Sequence, residues 1–185
     1  MPEGVSRGEA EHAALLLRFD DPANVAVWSA VDDVVMGGLS HSRLVHSGGA
    51  YAEFTGSVSL ANNGGFASVR TAAGDYSAPG AEELRVCVRG DGRTYRLTLR
   101  TDDARDGISW HAAFTPPADE WAEIVLPLDA FRARCRGRPV AAPPLDPARI
   151  RRVGLLIADR QAGPFRLSLR WILAGKHPPG RSRSR

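Results

Sequence analysis

Apolar and polar residues alternate along most of the chain, and this period of two is typical of β-strands that bury one face. Residues 84–88 and 95–99 show the pattern most clearly, and Gly90-Asp91-Gly92 lies between them. Because Gly and Asp tolerate positive φ, the two segments predict a β-hairpin with one buried face. The same alternation predicts further strands at residues 15–19, 43–46, 50–54, 66–70, 108–114, 122–126, 153–158 and 165–171.

Turn-forming residues separate these strands, and no segment has the 3.6-residue period of a long helix. Clusters such as Asn62-Asn63-Gly64-Gly65 and Thr115-Pro116-Pro117 interrupt the alternation. Only residues 127–131 and 146–149 predict single helical turns, the second with Asp146 as its N-cap. We therefore predict an all-β protein, an antiparallel sandwich or barrel with at most short helical turns.

The length of 185 residues is that of one domain with a self-sufficient core. We assign this domain to residues 15–174. Residues 1–14 are predicted to form a flexible N-terminus, and residues 175–185, which carry no apolar anchor, a disordered basic tail.

The excess of positive charge is concentrated in that tail. The chain has 24 Lys and Arg, 21 Asp and Glu and a formal charge of +3. The tail holds four of the cations and no acid, so residues 1–175 carry a charge of −1. The overall charge therefore does not predict nucleic-acid binding. The tail cations are Lys176, Arg181, Arg183 and Arg185.

A second basic set lies between residues 132 and 152, where Asp146 is the sole acid and no aromatic residue is present to stack on bases. We predict that this set, with the tail, contacts an acidic protein surface or anionic lipid headgroups rather than RNA. Its members are Arg132, Arg134, Arg136, Arg138, Arg149, Arg151 and Arg152.

The cellular location is predicted from segments that the sequence lacks. No apolar run approaches the roughly 20 residues of a membrane-spanning helix, and residues 1–14 have no apolar signal segment. We expect a cytoplasmic protein of bacterial type, with peripheral contact at the inner face of the membrane as an alternative. Cys87 and Cys135 are expected to be free thiols.

Motifs for catalysis and for metal binding are missing. The sequence contains no GxSxG elbow, no HExxH pair and no complete EF-hand loop. We predict that the protein is not an enzyme and uses neither a metal nor another cofactor. The one enzymatic alternative is a hydrolase that uses Asp32 and Asp33, because glycosidases need two carboxyl groups about 5–9.5 Å apart.

Three polar clusters are candidate binding segments. They lie at residues 28–40, 62–70 and 90–96, and each also has an architectural interpretation. In the first, Asp32 or Asp33 would accept backbone N–H bonds and Trp28 would belong to the core. Burial of Trp28 would favour the architectural interpretation. The candidate binding residues are Trp28, Asp32, Asp33, Met36, Gly37, Gly38, Asn62, Asn63, Gly64, Gly65, Arg70, Asp91 and Arg93.

The order of these clusters resembles one known family. The strings WSAVDDVVMGGLS, FTGSVSLANNGGFASVR, LRVCVRGDGRTYRLTLR and GLLIADRQAGPFRLSL follow one another between residues 16 and 173. They are similar to the complex I intermediate-associated protein 30 family, and DDVVMGG and NNGGFASVR are the most specific parts. The resemblance implies a galactose-binding-domain-like jelly roll, two antiparallel sheets packed face to face.

The resemblance also implies a function. The family's best-known member assembles respiratory complex I in mitochondria, so this chain is expected to be a non-catalytic protein-binding module, an assembly factor or accessory of complex I or another membrane complex. The alternative is a carbohydrate-binding jelly roll, with Trp28, Trp110 or Tyr95 as stacking platforms and Asp32, Asp33, Asn62 or Asn63 as hydroxyl partners.

Two interpretations are open for the outward arginines of the predicted hairpin. They line a binding face together with Arg70, or they form a solvated strand face whose charges protect the sheet edge from aggregation. These hairpin residues are Arg85, Arg89, Arg96 and Arg100.

Overall fold

The computed structural model describes residues 14–105 and 107–176, which form two antiparallel β-sheets packed face to face. The predicted all-β sandwich is confirmed, and every strand that the alternation predicted is present. The strands are β1 (Ala14–Arg18), β2 (Trp28–Ala30), β3 (His41–His46), β4 (Ala52–Val58), β5 (Ala67–Thr71), β6 (Glu83–Arg89), β7 (Tyr95–Thr101), β8 (Ile108–Phe114), β9 (Trp121–Pro127), β10 (Arg132–Cys135), β11 (Arg138–Pro139), β12 (Ile150–Ile157) and β13 (Gly163–Gly175).

The two sheets have different strand orders. Sheet A has the order β3-β4-β13-β6-β9. β4 pairs with residues 163–169 of the long strand β13, and β1 pairs with residues 171–174 of the same strand. Sheet B has the order β11-β10-β8-β7-β12-β5-β2. Neighbours in both sheets run antiparallel, so strand ends and the loops that join them gather at the two ends of the sandwich.

The hairpin predicted for residues 84–99 is wrong, because its two strands lie in different sheets. β6 pairs with β13 and β9, whereas β7 pairs with β12 and β8. The alternation correctly identifies the buried face of each strand, since Val86 and Leu97 are both fully buried. It cannot identify the neighbour, because two strands facing the same core from opposite sheets have the same pattern.

The core is filled by the inward residues of both sheets. Phe54 and Phe165 of sheet A contact each other at a centroid distance of 4.9 Å, and Tyr95 of sheet B packs edge-on to both. Aliphatic side chains surround these rings, and the largest fully buried ones include Leu84, Leu97, Leu99, Ile150, Leu155, Ile157, Leu167, Leu169 and Ile172. This shared core fixes the relative position of the sheets.

The helices are single turns. The structure confirms the turns at Leu128–Ala130 and Pro147–Arg149, the second capped by Asp146, whose carboxylate accepts the Ala148 N–H. A short helix, α1 (Pro22–Ala26), was not predicted. No helix in residues 14–105 and 107–176 is long and apolar enough to cross a bilayer.

The sequence also missed β2, β10 and β11. They have only two to four residues each, too short to show alternation. The flexible N-terminus and basic tail predicted for residues 1–14 and 175–185 lie outside the described residues, except for Ala14, which begins β1, Gly175, which ends β13, and Lys176. The two cysteines are half-buried free thiols.

Candidate functional site

Most of the candidate residues meet at one end of the sandwich. β5 begins opposite the last residue of β12, and β13 begins opposite the last residue of β4, so their connections share that end. We call it the loop end. The connections that gather there are residues 31–40, 59–66, 90–94, 115–120 and 158–162.

Asp33 holds two of these connections together. Its side chain is fully buried, and Oδ1 accepts the Ser40 N–H at 2.9 Å. Oδ2 accepts the Ser40 hydroxyl at 2.6 Å, the Gly65 N–H at 2.7 Å and the Phe66 N–H at 3.3 Å. One carboxylate therefore joins connection 31–40 to connection 59–66, which carry the DDVVMGG and NNGGF strings.

Asp32 makes an equivalent link between the two sheets. Its Oδ2 accepts the Ser42 N–H from β3 of sheet A, and its Oδ1 accepts the Ser68 N–H from β5 of sheet B, each at 2.9 Å. The Ser42 hydroxyl also donates to Oδ1. The Ser68 hydroxyl in turn donates to the carbonyl of Val31. Asp32 thus ties the edges of the sandwich together where the loop begins.

The environment of Asp33 disfavours acid catalysis. Burial by itself would raise the pKa of this carboxyl, but the bonds from Ser40, Gly65 and Phe66 outweigh burial and lower the pKa below its ordinary value of 3.8. A general acid needs the opposite, a raised pKa that keeps the proton at neutral pH. All four N–H and O–H donors favour the charged form of Asp33.

Two glycines of the motifs leave room for the Asp33 side chain. A Cβ on Gly38 would lie 2.3 Å from Cγ and Oδ1 of Asp33, and a Cβ on Gly64 would lie 2.6 Å from Oδ2. Gly37 has φ of +86°, in the left-handed region that favours glycine. Asn62 and Asn63 are exposed and also have positive φ, of 54° and 59°.

Trp28 and Arg70 lie away from this network. Trp28 is 9% exposed, and its ring packs on Phe19 at a centroid distance of 5.8 Å. Its backbone pairs with Thr71, the last residue of β5, whereas the Asp33 network contacts the residues just before β5 begins. Burial of Trp28 was the discriminating observation, and it favours the architectural interpretation of residues 28–40. Arg70 pairs with Gly154 in the middle of sheet B.

Asp91 and Arg93 anchor another connection at the loop end. Asp91 accepts the Tyr95 hydroxyl at 3.0 Å and the Arg166 N–H at 2.9 Å, so it joins the start of β7 to β13. Arg93 donates to the carbonyl of Gln161 at 2.8 Å. Both side chains are engaged within the fold, which explains how the connection between β6 and β7 crosses from sheet A to sheet B.

The loop end also presents apolar side chains to solvent. Met36 is 66% exposed, Leu39 61% and Val34 60%. We call these three residues the apolar loop patch. Met36 was a candidate binding residue, whereas Val34 and Leu39 were missed. Their apolar type within a segment that does not alternate was the available signal.

Comparison with sequence families assigns the chain. The family described as complex I intermediate-associated protein 30 (CIA30) matches residues 17–169. The chain belongs to the CIA30 family. The resemblance seen in the sequence strings is thereby confirmed. No individual curated protein matches this CIA30 chain in sequence.

Solved structures show which folds the CIA30 domain is similar to. A family 11 carbohydrate-binding module of a cellulosomal cellulase from Clostridium thermocellum has a TM-score of 0.63 at 17% identity, over 87% of this chain and 94% of the module. A family 29 carbohydrate-binding module has a TM-score of 0.51 at 12% identity, over 93% and 99%. An agarase has a TM-score of 0.60 at 12% identity, over 91% of this chain and 25% of the agarase. The likeness confirms the jelly-roll fold.

The three aromatic platforms expected for a sugar are not accessible. Trp28, Trp110 and Tyr95 all face the core, and Tyr95 is fully buried. Burial, followed by the neighbouring Asp91, raises the pKa of the Tyr95 hydroxyl far above its ordinary value. Those three residues were the wrong aromatics, because in an alternating strand the ring on the apolar face belongs to the core.

A different aromatic pair lies on the outer face of sheet A. The Tyr51 and Trp121 rings meet edge-on at 5.4 Å. The guanidinium groups of Arg89 and Arg170 lie 4.9 and 4.1 Å from the Trp121 ring centre. Next to Arg89 on β13 is Ser168, whose buried hydroxyl has no partner among the described residues. Sequence reasoning missed this cluster, because its members come from three strands and from the residue that precedes β4.

The expected single arginine face is divided between the two sheets. Arg85 and Arg89 belong to β6 and point outward from sheet A, whereas Arg96, Arg100 and Arg70 point outward from sheet B. The interpretation in which all five line one face is therefore wrong. Its error follows directly from the hairpin error, because both were based on pairing β6 with β7.

Proposed function

We propose that this CIA30 domain is a non-catalytic protein-binding module that contacts its partner through the apolar loop patch. The observation that carries the proposal is the combination of three side chains more than half exposed with two buried carboxylates that hold their loop. Exposed apolar side chains grouped on one rigid loop are typical of protein contacts. The partner that we propose, from the family, is an assembly intermediate of complex I.

Rigidity matters for this proposal. A loop that is already ordered loses little conformational entropy on binding, so more of the interaction energy appears as affinity. Asp33 and Asp32 supply this order through bonds to Ser40, Ser42, Gly65 and Ser68. The two most specific motifs of the family thus support the patch rather than forming the contact themselves.

The test is quantitative capture of complex I subunits from native membranes at low salt. The patch variant Val34→Ser/Met36→Ser/Leu39→Ser is expected to reduce their enrichment at least tenfold, because each buried apolar side chain contributes about 1.5–3 kcal/mol. The measurement is label-based mass spectrometry of the captured subunits.

The matched control replaces three other exposed valines. Val27, Val45 and Val125 are 42%, 44% and 44% exposed and lie outside the patch. The variant Val27→Ser/Val45→Ser/Val125→Ser is expected to capture the same subunits as the unmodified protein. Equal losses in both variants would reject the patch as the contact, and no enrichment of complex I subunits by the unmodified protein would reject that partner.

A second candidate function is carbohydrate binding on the outer face of sheet A. Tyr51 and Trp121 favour it, because both rings are only half-buried and sugars stack on rings. The guanidinium groups already stacked on Trp121 compete with a sugar for this ring, so we rank this function second.

Glycan-array screening followed by calorimetry tests this candidate. If a sugar binds, Trp121→Ala is expected to weaken its binding at least tenfold, a loss of about 1.4 kcal/mol. Phe66→Ala, which removes a half-buried aromatic ring outside the outer face of sheet A, is the control and should retain binding. Absence of glycan binding by the unmodified protein removes the candidate. Trp28→Ala is unsuitable, since Trp28 is part of the core.

A further inference from the structure

Sheet B carries positive charge without any negative charge. Its seven strands contain eight arginines and no Asp or Glu, whereas the strands of sheet A include Glu53, Glu83 and Glu123. The arginines of sheet B come from β5, β7, β10, β11 and β12. They are Arg70, Arg96, Arg100, Arg132, Arg134, Arg138, Arg151 and Arg152.

Six of these arginines share the outer side of the sheet, which we call the arginine face. Those of β5 and β7 alternate with buried residues, and those of β10 and β12 stand in register with outward residues of the neighbouring strands. One row across the arginine face reads Arg70, Gly154, Thr98, His111 and Arg132. With neighbouring strands about 4.8 Å apart, the two arginines of this row are anchored about 19 Å from each other. The six are Arg70, Arg96, Arg100, Arg132, Arg134 and Arg152.

Three of these guanidinium groups donate to backbone carbonyls, which leave their charge in place. Arg134 donates to the Gly137 carbonyl at 2.9 Å, and Arg152 donates to the Thr71 carbonyl at 3.1 Å. Arg96 differs, because it bonds to both carboxylate oxygens of Asp159, at the end of the neighbouring strand β12. A guanidinium has five N–H donors, so one carbonyl bond leaves donors for a ligand.

His111 reports the positive potential at the centre of the arginine face. Burial, and then the charges of Arg96, Arg134 and Arg100, lower the pKa of this imidazole to about 4. Its Nε2 lies 2.7 Å from the Ser109 hydroxyl, and its buried Nδ1 has no partner among the described residues. The centre of the face is thus polar but uncharged, within a ring of cations.

The surroundings of these cations indicate a flat ligand. The aromatic residues in the strands of sheet B are Trp28, Tyr95, Trp110 and Phe114, and all are buried on its inner side. On the outer side of these strands the one aromatic ring is the imidazole of His111, so no Trp, Tyr or Phe is available there for stacking bases or sugars. Thr98 and Gly154 at the centre of the outer side are small, and Gly154 packs so closely on Thr98 that an added Cβ would lie 2.4 Å from Thr98 Oγ1. The groove of about 350 Å³ at the loop end belongs to sheet A.

A protein partner fits this face poorly. Protein contacts usually have a central apolar or aromatic anchor with polar residues at the rim. Here the arrangement is reversed, with Thr98, Gly154 and His111 at the centre, and Leu156 and Ala113 as the outward apolar residues of the central strands.

We propose that the arginine face binds the surface of a bilayer that contains anionic phospholipids, with the guanidinium groups on lipid phosphates. Arginine matches phosphate in charge and in hydrogen-bond geometry. Each basic residue near such a surface contributes about 1 kcal/mol, so the cations of this face are enough for measurable binding even without Arg96, whose charge Asp159 offsets. The apolar loop patch lies at the sandwich end, and it remains available for a protein partner.

The test is co-sedimentation with vesicles. The full chain is mixed at low salt with vesicles of phosphatidylcholine alone or with about 30 mol % phosphatidylglycerol. We expect binding only to the anionic vesicles, and loss of binding at about 0.5 M salt, where charges are screened within a few ångström. No binding to anionic vesicles, or equal binding to both kinds, would overturn the proposal.

Matched variants distinguish binding through the arginine face from binding that depends only on the net charge of the protein. Arg70→Gln/Arg132→Gln/Arg134→Gln is expected to reduce the partition coefficient at least about tenfold. Arg18→Gln/Arg43→Gln/Arg166→Gln removes the same amount of charge from three exposed arginines of sheet A. This control variant should reduce the partition coefficient less than threefold. Equal losses in the two variants would refute a face-specific site.

A third variant guards against misfolding. Arg70→Lys/Arg132→Lys/Arg134→Lys keeps the charge and should retain at least a third of the unmodified binding, with a thermal melt matching that of the glutamine variant. Loss of binding in the lysine variant as large as in the glutamine variant would contradict an electrostatic site. Binding of the chain to immobilised polyglutamate, with none to anionic vesicles, would assign the face to an acidic polypeptide and overturn the lipid proposal.

Discussion

Replacing Asp33 by Asn is expected to lower the free energy of unfolding by about 3 kcal/mol, the largest effect of any single polar substitution that we predict. The carboxylate of Asp33 accepts four hydrogen bonds while fully buried. An amide offers one acceptor oxygen and turns N–H groups toward the donors of Ser40 and Gly65. Calorimetry should show a decrease in melting temperature of roughly 6–12 °C.

The pH dependence distinguishes the charge of Asp33 from its shape. Its folded-state pKa is lowered below 3.8, so its contribution to stability is complete above the unfolded-state pKa and is lost as the pH falls through the folded-state pKa. The stability difference between the unmodified protein and Asp33→Asn should therefore shrink as the pH falls below about 4. A difference that stays constant down to pH about 2 would contradict this assignment.

Asp119→Asn is the control for that experiment. Asp119 is exposed and has a φ of 58°, a conformation that Asn tolerates well. We expect its free energy of unfolding to change by less than about 0.5 kcal/mol.

Replacing Gly38 by Ala should also destabilise the domain, by about 2–4 kcal/mol. The new Cβ would lie 2.3 Å from Cγ and Oδ1 of Asp33. The carboxylate cannot move aside cheaply, because Ser40, Gly65 and Phe66 all donate to it. Chemical denaturation at neutral pH measures the loss as a shift in midpoint without a change in slope.

Two further variants show whether the Gly38 effect arises from Asp33. Gly49 lies in the β3–β4 connection, and its added Cβ would meet no heavy atom closer than 3.6 Å, so Gly49→Ala should be nearly neutral. In the background Asp33→Ala the two approaches of 2.3 Å are removed and only the Cβ of residue 33, at 2.9 Å, stays close. Adding Gly38→Ala should then cost at least about 1 kcal/mol less than it does alone. Additive losses would mean that Gly38 is required for another reason.

The strand content of this CIA30 domain was predictable because alternation is a local signal. Each strand of five residues or more shows which residues face the core, as with Leu97 and Leu99 of β7. Pairing is not local, because the partner of β6 is β13, some 80 residues later in the chain. The hairpin error and the arginine-face error both follow from that difference.

The candidate site was predicted in part for the same reason. The motif strings identified Asp32, Asp33 and the paired glycines as special residues. Whether a carboxylate faces solvent or N–H donors depends on which loops meet, and Asp33 meets residues 64–66 only after β4 and β5 have joined different sheets. From the sequence, these residues could therefore be interpreted either as a binding site or as supports of the fold, and the sequence did not decide between the two.

The sequence by itself determined an antiparallel all-β fold and the turn residues that separate its strands, because these depend on the side-chain period and on backbone conformation at single residues. The choice of a sandwich over a barrel, and the family, came from the resemblance of the motif strings. The tertiary structure alone decided how the charges are arranged. Eight arginines distant in sequence lie together in one sheet without an acid, while the glutamates of the strands lie in the other sheet. Strand order places residues together across a sheet, and that order is set by the packing of the whole core.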